Sequence, residues 1–136
     1  MEIASLITRA VLTLDEGDSL REAAIQMMER GVGSAVVLTG GKPTGIVTDR
    51  DALRVIAEGD DGELVSVRDC ISKKLRTATP STEVVDAARL MREKNFRHLV
   101  VVDDDGNLVG VFSMRDLVVG LLQERVELMN ERATAV

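Results

Sequence analysis

Two stretches carry the residue types that do chemistry: Thr48-Asp49-Arg50-Asp51 and Ser113-Met114-Arg115-Asp116. Each sets a hydroxyl three positions before an aspartate. Each follows a glycine and a short apolar run, Gly45-Ile46-Val47 and Gly110-Val111-Phe112, and each precedes an apolar helical pattern. Where a strand gives way to a helix, such a pair has two uses. The hydroxyl and the carboxylate can cap the helix reciprocally, worth about 1 kcal/mol per cap. Alternatively, the free amides and positive dipole end of the helix hold an anion, while Asp51 and Asp116 accept hydrogen bonds from vicinal hydroxyls. Either copy alone fits capping. That the strand, hydroxyl and aspartate occur twice brings ligand binding forward, and the same carboxylate can cap its helix in the empty state.

Other chemistry is poorly supplied. His98 is the single histidine and Cys70 the single cysteine, so neither a zinc ligand set nor a hydrolase triad can be assembled. Asp103-Asp104-Asp105-Gly106 lacks the spaced ligands of a calcium loop and reads as a solvated hairpin turn. Gly40-Gly41-Lys42-Pro43 lacks the upstream glycine of a phosphate loop and places proline after the lysine. Lys73-Lys74 reads as a solvated pair unless a phosphate lies nearby. No enzyme is expected, and no metal or required cofactor.

Charge narrows the partners. The net charge of −6 falls wholly in residues 1–64, with 6 basic and 12 acidic side chains, whereas residues 65–136 hold 11 of each. There is no broad basic footprint for nucleic acid. Trp and Tyr are absent and only Phe96 and Phe112 are aromatic, which removes the stacking platforms of single-strand binders. No apolar run approaches the roughly 20 residues that span a bilayer, and no signal-peptide pattern is present. With a lone cysteine, a cytoplasmic location is expected. The 45% hydrophobic and 29% charged content suits one compact fold with a real core.

The elements that must position the two motifs follow from periodicity. A helical turn within 2–10 leads to a strand at Val11 to Leu14, a turn at Asp15 to Asp18, and a helix from Ser19 with Leu20, Ala23, Ala24, Met27 and Met28 on one face. Gly31 and Gly33 end it. A strand at Ser34 to Leu38, a tight turn from Thr39 to Pro43 and a strand at Thr44 to Val47 lead to a helix carrying Leu53, Val55 and Ile56. The second half repeats this order: a turn at Val67 to Ser72, strands at 77–79, 97–102 and 108–112, a helix from Glu83, and a last helix from Arg115 to about Glu131. The residues register. An offset of 64 pairs Ala23 with Ala87, Met27 with Met91 and Val36 with Val100; after one extra hairpin residue an offset of 65 pairs Gly45 with Gly110, Thr48 with Ser113 and Asp51 with Asp116. Such a βαββα unit is too small to bury both faces of its sheet. The expected fold is therefore α/β (α+β): two units packed about a pseudo-twofold axis, with ligand clefts between them. Boundaries fall at 5–60 and 67–125, with a linker at 61–66 and the helix end and tail at 126–136.

Two whole-unit copies of strand-Gly-Ile/Val-x-Ser/Thr-x-x-Asp, with Phe96-Arg97-His98-Leu99-Val100-Val101-Val102-Asp103, resemble a tandem pair of cystathionine-β-synthase (CBS) domains, a Bateman module. The resemblance covers residues 5–125 and implies a non-catalytic sensor of adenosine-containing ligands (AMP, ADP, ATP, S-adenosylmethionine or NAD-like molecules). It implies ribose contacts from Asp51 and Asp116, and phosphate or ribose contacts from Thr48, Ser113, Arg97 and His98. Apolar walls for the base come from Ile46 and Val111, with further base contacts from Thr8, Ala10, Ser72 and Lys73. Arg97-His98 faces Gly33-Ser34 at the equivalent place in the first repeat, so the two sites are chemically unequal. Leu99-Val100 departs from the family's frequent Leu-Pro, which alters a strand edge rather than the pocket. Family members also dimerise through helices like the last one, whose Leu117, Val118, Leu121, Leu122, Val126 and Met129 form a wide apolar stripe. A ligand-free dimerisation module, or a fragment of a larger regulated protein, is the alternative; the downstream partner is not legible.

Overall fold

The computed structural model describes residues 1–71 and 75–134, an α+β chain. It forms two compact units that interleave along the sequence: residues 10–76 with 106–108, and residues 1–9 with 77–105 and 109–136.

The first unit contains β1 (Thr13–Asp15), α1 (Leu20–Arg30), β2 (Ser34–Thr39), β3 (Lys42–Thr48), α2 (Asp49–Ala57) and the short α3 (Val67–Cys70). Its sheet runs β1-β2-β3, parallel between β1 and β2 and antiparallel between β2 and β3. Ser19 starts α1 by accepting the Glu22 amide at 3.0 Å, and Gly31 ends it at φ 64°. The β2–β3 turn is tighter than the sequence suggests. Gly40 and Gly41 carry it with positive φ, and Pro43 belongs to the strand opposite Leu38. Proline fits because β3 is an edge strand and the register shifts there. Leu14, Ala23, Met27, Ala35, Val37, Val47 and Val55 form the core with Val67 and Cys70.

The second unit contains β4 (Thr77–Ala78), α4 (Val84–Lys94), β5 (His98–Val102), β6 (Leu108–Ser113) and α5 (Met114–Thr134), with a 3₁₀ turn at Ile3–Ser5. The sheet runs β4-β5-β6. Asn95, the repeat of Gly31, ends α4 in the same left-handed conformation at φ 56°. Ile3, Ala87, Met91, Leu99, Val101 and Phe112 are buried in its core.

The interleaving has a repeated cause. Each repeat's leading segment completes the unit built from the other repeat's body. The Met1 carbonyl accepts the Val84 amide at 2.8 Å, and the Val65 carbonyl accepts the Leu20 amide at 2.8 Å. Both bonds satisfy a helix-start amide that would otherwise be orphaned. Ile3 and its repeat Val67 are both fully buried. The glycines that open the two motifs make room for these segments. A Cβ on Gly110 would collide with the Thr8 carbonyl, and one on Gly45 would fall 2.6 Å from the Ile71 side chain.

Several apolar side chains of the helical stripes lie outside the core. Met28 is exposed on α1, and Leu53 and Ile56 are exposed on α2, leaving Val55 as the apolar residue of α2 that is fully buried. On α5 Leu117 is buried, whereas Val118, Leu121, Leu122, Val126 and Met129 are exposed. For Val126 and Met129, toward the C-terminal end of α5, length contributes. α5 has 21 residues and α4, which packs on it, has 11. At 1.5 Å per residue α5 outruns its neighbour by about 15 Å.

Candidate functional site

In the second unit, β6 delivers Ser113 to the first turn of α5. The Ser113 amide donates to Asp116 Oδ2 at 2.9 Å, and the Asp116 amide donates to Ser113 Oγ at 3.2 Å. This is the reciprocal cap expected of the spacing. Only Oδ2 is committed; among the described residues no hydrogen bond or ion pair engages Asp116 Oδ1, and the side chain is half-buried. The start of β5 lies alongside, because the Met114 amide donates to the Arg97 carbonyl at 2.9 Å. Arg97 is exposed and His98 half-buried. Thr8 bonds reciprocally with Val111, N to O at 2.9 Å in both directions. Thr8, Arg97, His98, Val111, Ser113 and Asp116 thus belong to one unit, around one strand-to-helix junction. Val111 is buried, so its side chain serves packing more than an open wall.

The first unit repeats the junction with different chemistry. The Thr48 amide donates to Asp51 Oδ2 at 2.8 Å, Thr48 Oγ1 donates to the same oxygen at 3.2 Å, and the Asp51 amide donates to Thr48 Oγ1 at 3.4 Å. Asp51 Oδ1 is taken by Arg54 Nη2 at 3.0 Å. The same guanidinium nitrogen donates to the Cys70 carbonyl at the end of α3. Asp51 is only 7% exposed. Where Arg97 stands beside Met114 in the second unit, Gly33 stands beside Asp49 here: the Asp49 amide donates to the Gly33 carbonyl at 3.0 Å. A Cβ on Gly33 would lie 3.2 Å from Asp49 Oδ2. Ile46 is half-buried on β3, and Ala10 is exposed in this unit. Ser72 and Lys73 lie outside the described residues.

Arg54 and Asp49 were not singled out by the motif. Their signal lies in the repeat alignment, which sets Arg54 against Val119 and Asp49 against Met114. Burial, with the nearby Asp51 charge adding to it, raises the Cys70 thiol to about 11, so it is protonated at neutral pH. Among the described residues no group of three or more His, Cys, Asp or Glu side chains could hold a metal, and no helix is long and apolar enough to cross a membrane.

Comparison with known proteins bears on these junctions. The model of the CBS domain matches residues 3–58 and again residues 67–122. A Methanopyrus kandleri protein, MK0525, is 33% identical over 120 residues, which is 87% of this chain; the chain spans 61% of that relative's length. A CBS domain protein from Pyrobaculum aerophilum, PAE2072, solved in complex with AMP, superposes with a TM-score of 0.82 at 32% identity, covering 90% of this chain and 97% of the other. CBSX2, also solved in complex with AMP, gives 0.77 at 26% identity, covering 91% and 98%.

Proposed function

This chain belongs to the CBS-domain family as a tandem pair, and on that premise we propose that it is a non-catalytic regulatory module for an adenosine-containing ligand, with AMP the first candidate. The observation that carries the reading is the doubled junction: a hydroxyl and a carboxylate, three residues apart, at the start of a helix in each unit. The carboxylate accepts the ribose hydroxyls and the helix-start amides face the phosphate. Asp116 and Asp51 take the ribose role. Ser113, Thr48, Arg97 and His98 take the phosphate or ribose role, and Ile46, Thr8 and Ala10 border the base. The AMP complexes of two similar structures support the ligand class. Binding acts by differential affinity: the arrangement of the chain that holds the ligand better is populated at the expense of the other, and a protein partner reads the change.

A homodimer accompanies this reading. Val118 and Leu121 on α5 are exposed, and so are their repeats Leu53 and Ile56 on α2. A face duplicated in this way suits a second copy of the chain. The reading places the protein in the cytoplasm. Calorimetric titration with AMP, ATP, S-adenosylmethionine and NAD tests the ligand class. Micromolar binding of at least one, lost on Asp116→Ala, is expected; no heat from any at millimolar concentration refutes the reading.

A further inference from the structure

Resting on that nucleotide reading, we propose that Arg54 is a built-in latch on the first junction, so that the chain takes one nucleotide, at Ser113 and Asp116, and the Asp51 site opens only when Arg54 is displaced. Both oxygens of the Asp51 carboxylate are already engaged. Oδ2 accepts from both the amide and the hydroxyl of Thr48, at 2.8 and 3.2 Å, and Oδ1 is paired with the guanidinium at 3.0 Å. Arg54 is itself anchored at its far end by the Cys70 carbonyl. A ribose diol brings two neutral donors, and these are weaker partners for a carboxylate than a guanidinium held in place.

Among the described residues nothing equivalent guards Asp116. The position that repeats Arg54 is Val119, an apolar side chain 42% exposed on α5. The phosphate end is unequal in the same sense. Arg97 stands at the mouth of the second junction, whereas the first has Gly33 there with the Asp49 carboxylate beside it. A phosphate approaching the first junction therefore meets a like charge and no cation at the position of Arg97. Among the described residues, the ribose and phosphate ends both favour the second unit.

The test is AMP titration of the full chain by calorimetry, with variants on both sides of the repeat. The expected wild-type stoichiometry is one nucleotide per chain, lost on Asp116→Ala and kept on Asp51→Ala. Arg54→Met, which keeps the aliphatic stem, should raise it to two, and adding Asp51→Ala should return it to one. Val119→Arg, at an exposed position where folding is not at stake, should weaken the wild-type site about tenfold by building the same i, i+3 pair against Asp116. Two nucleotides on the wild type, or one on Arg54→Met, overturns the latch while leaving the nucleotide reading intact. Loss of affinity on Arg54→Met also overturns it, because the guanidinium would then be holding the ligand. Silence from every variant at millimolar AMP refutes the nucleotide reading, and the latch with it.

Discussion

Thr8 and Val111 exchange a reciprocal pair of backbone hydrogen bonds, both 2.9 Å, which hold the leading segment of the chain against β6. The approach is possible only because residue 110 has no side chain. Gly110→Ala must push the Thr8 backbone away, and a cost of about 2–3 kcal/mol is expected. Gly45→Ala meets only the end of the flexible Ile71 side chain, and about 1 kcal/mol or less is expected. Urea unfolding of the two variants checks the order; an equal or reversed cost contradicts the packing described.

The caps give a second, smaller expectation. Ser113→Ala removes the acceptor for the Asp116 amide and should lower stability by about 1 kcal/mol. Thr48→Ala should cost as much or more, since Thr48 Oγ1 also donates to the buried Asp51. Thermal unfolding without ligand measures both.

How far the residues announced this arrangement differs from element to element. The helix starts were plain, because Ser19, Thr48 and Ser113 each stand three positions before an acidic residue. The repeat offset was legible too, since it rests on pairs such as Met27 with Met91. Exposure was not legible. Met28, Leu53 and Ile56 have helical spacing, but spacing reports a face and not what covers it. The exchange of leading segments also escaped, because Val84 and Leu20 find their carbonyl partners at Met1 and Val65, and long-range pairing leaves no local pattern. At the candidate site the carboxylates were identifiable from their motif. Arg54 was not: an arginine three residues after an aspartate on a helix is ordinary, and its meaning appears only when Asp51 is found buried beneath it.

Cys70 yields a pH-dependent expectation. Burial raises its thiol from an ordinary 9.0 to about 11, so the unfolded chain loses this proton first. The contribution to stability is fully present below pH 9 and is lost as pH rises toward about 11. Cys70→Ala should flatten that alkaline decline, amounting to about 1–2 kcal/mol, when unfolding is followed between pH 8 and 11. The native thiol should also react with iodoacetamide at pH 8 far more slowly than in urea. Fast native labelling contradicts the burial of α3.

The α5 face makes a fourth expectation. If a second copy covers Leu122 and Val126, then Val126→Glu shifts the chain to monomer at micromolar concentration without loss of helix content, as sedimentation velocity and circular dichroism would record. A wild type that is already monomeric there contradicts the homodimer.

The most direct measurement is the amide spectrum of the isotope-labelled chain during an AMP titration. The amides of Ser113 and Asp116 belong to the cap at which the nucleotide is proposed to bind, and they should shift early and saturate together with that of His98 at the start of β5. Unmoved Ser113 and Asp116 signals at millimolar AMP, or shifts confined to places remote from both caps, would contradict the account.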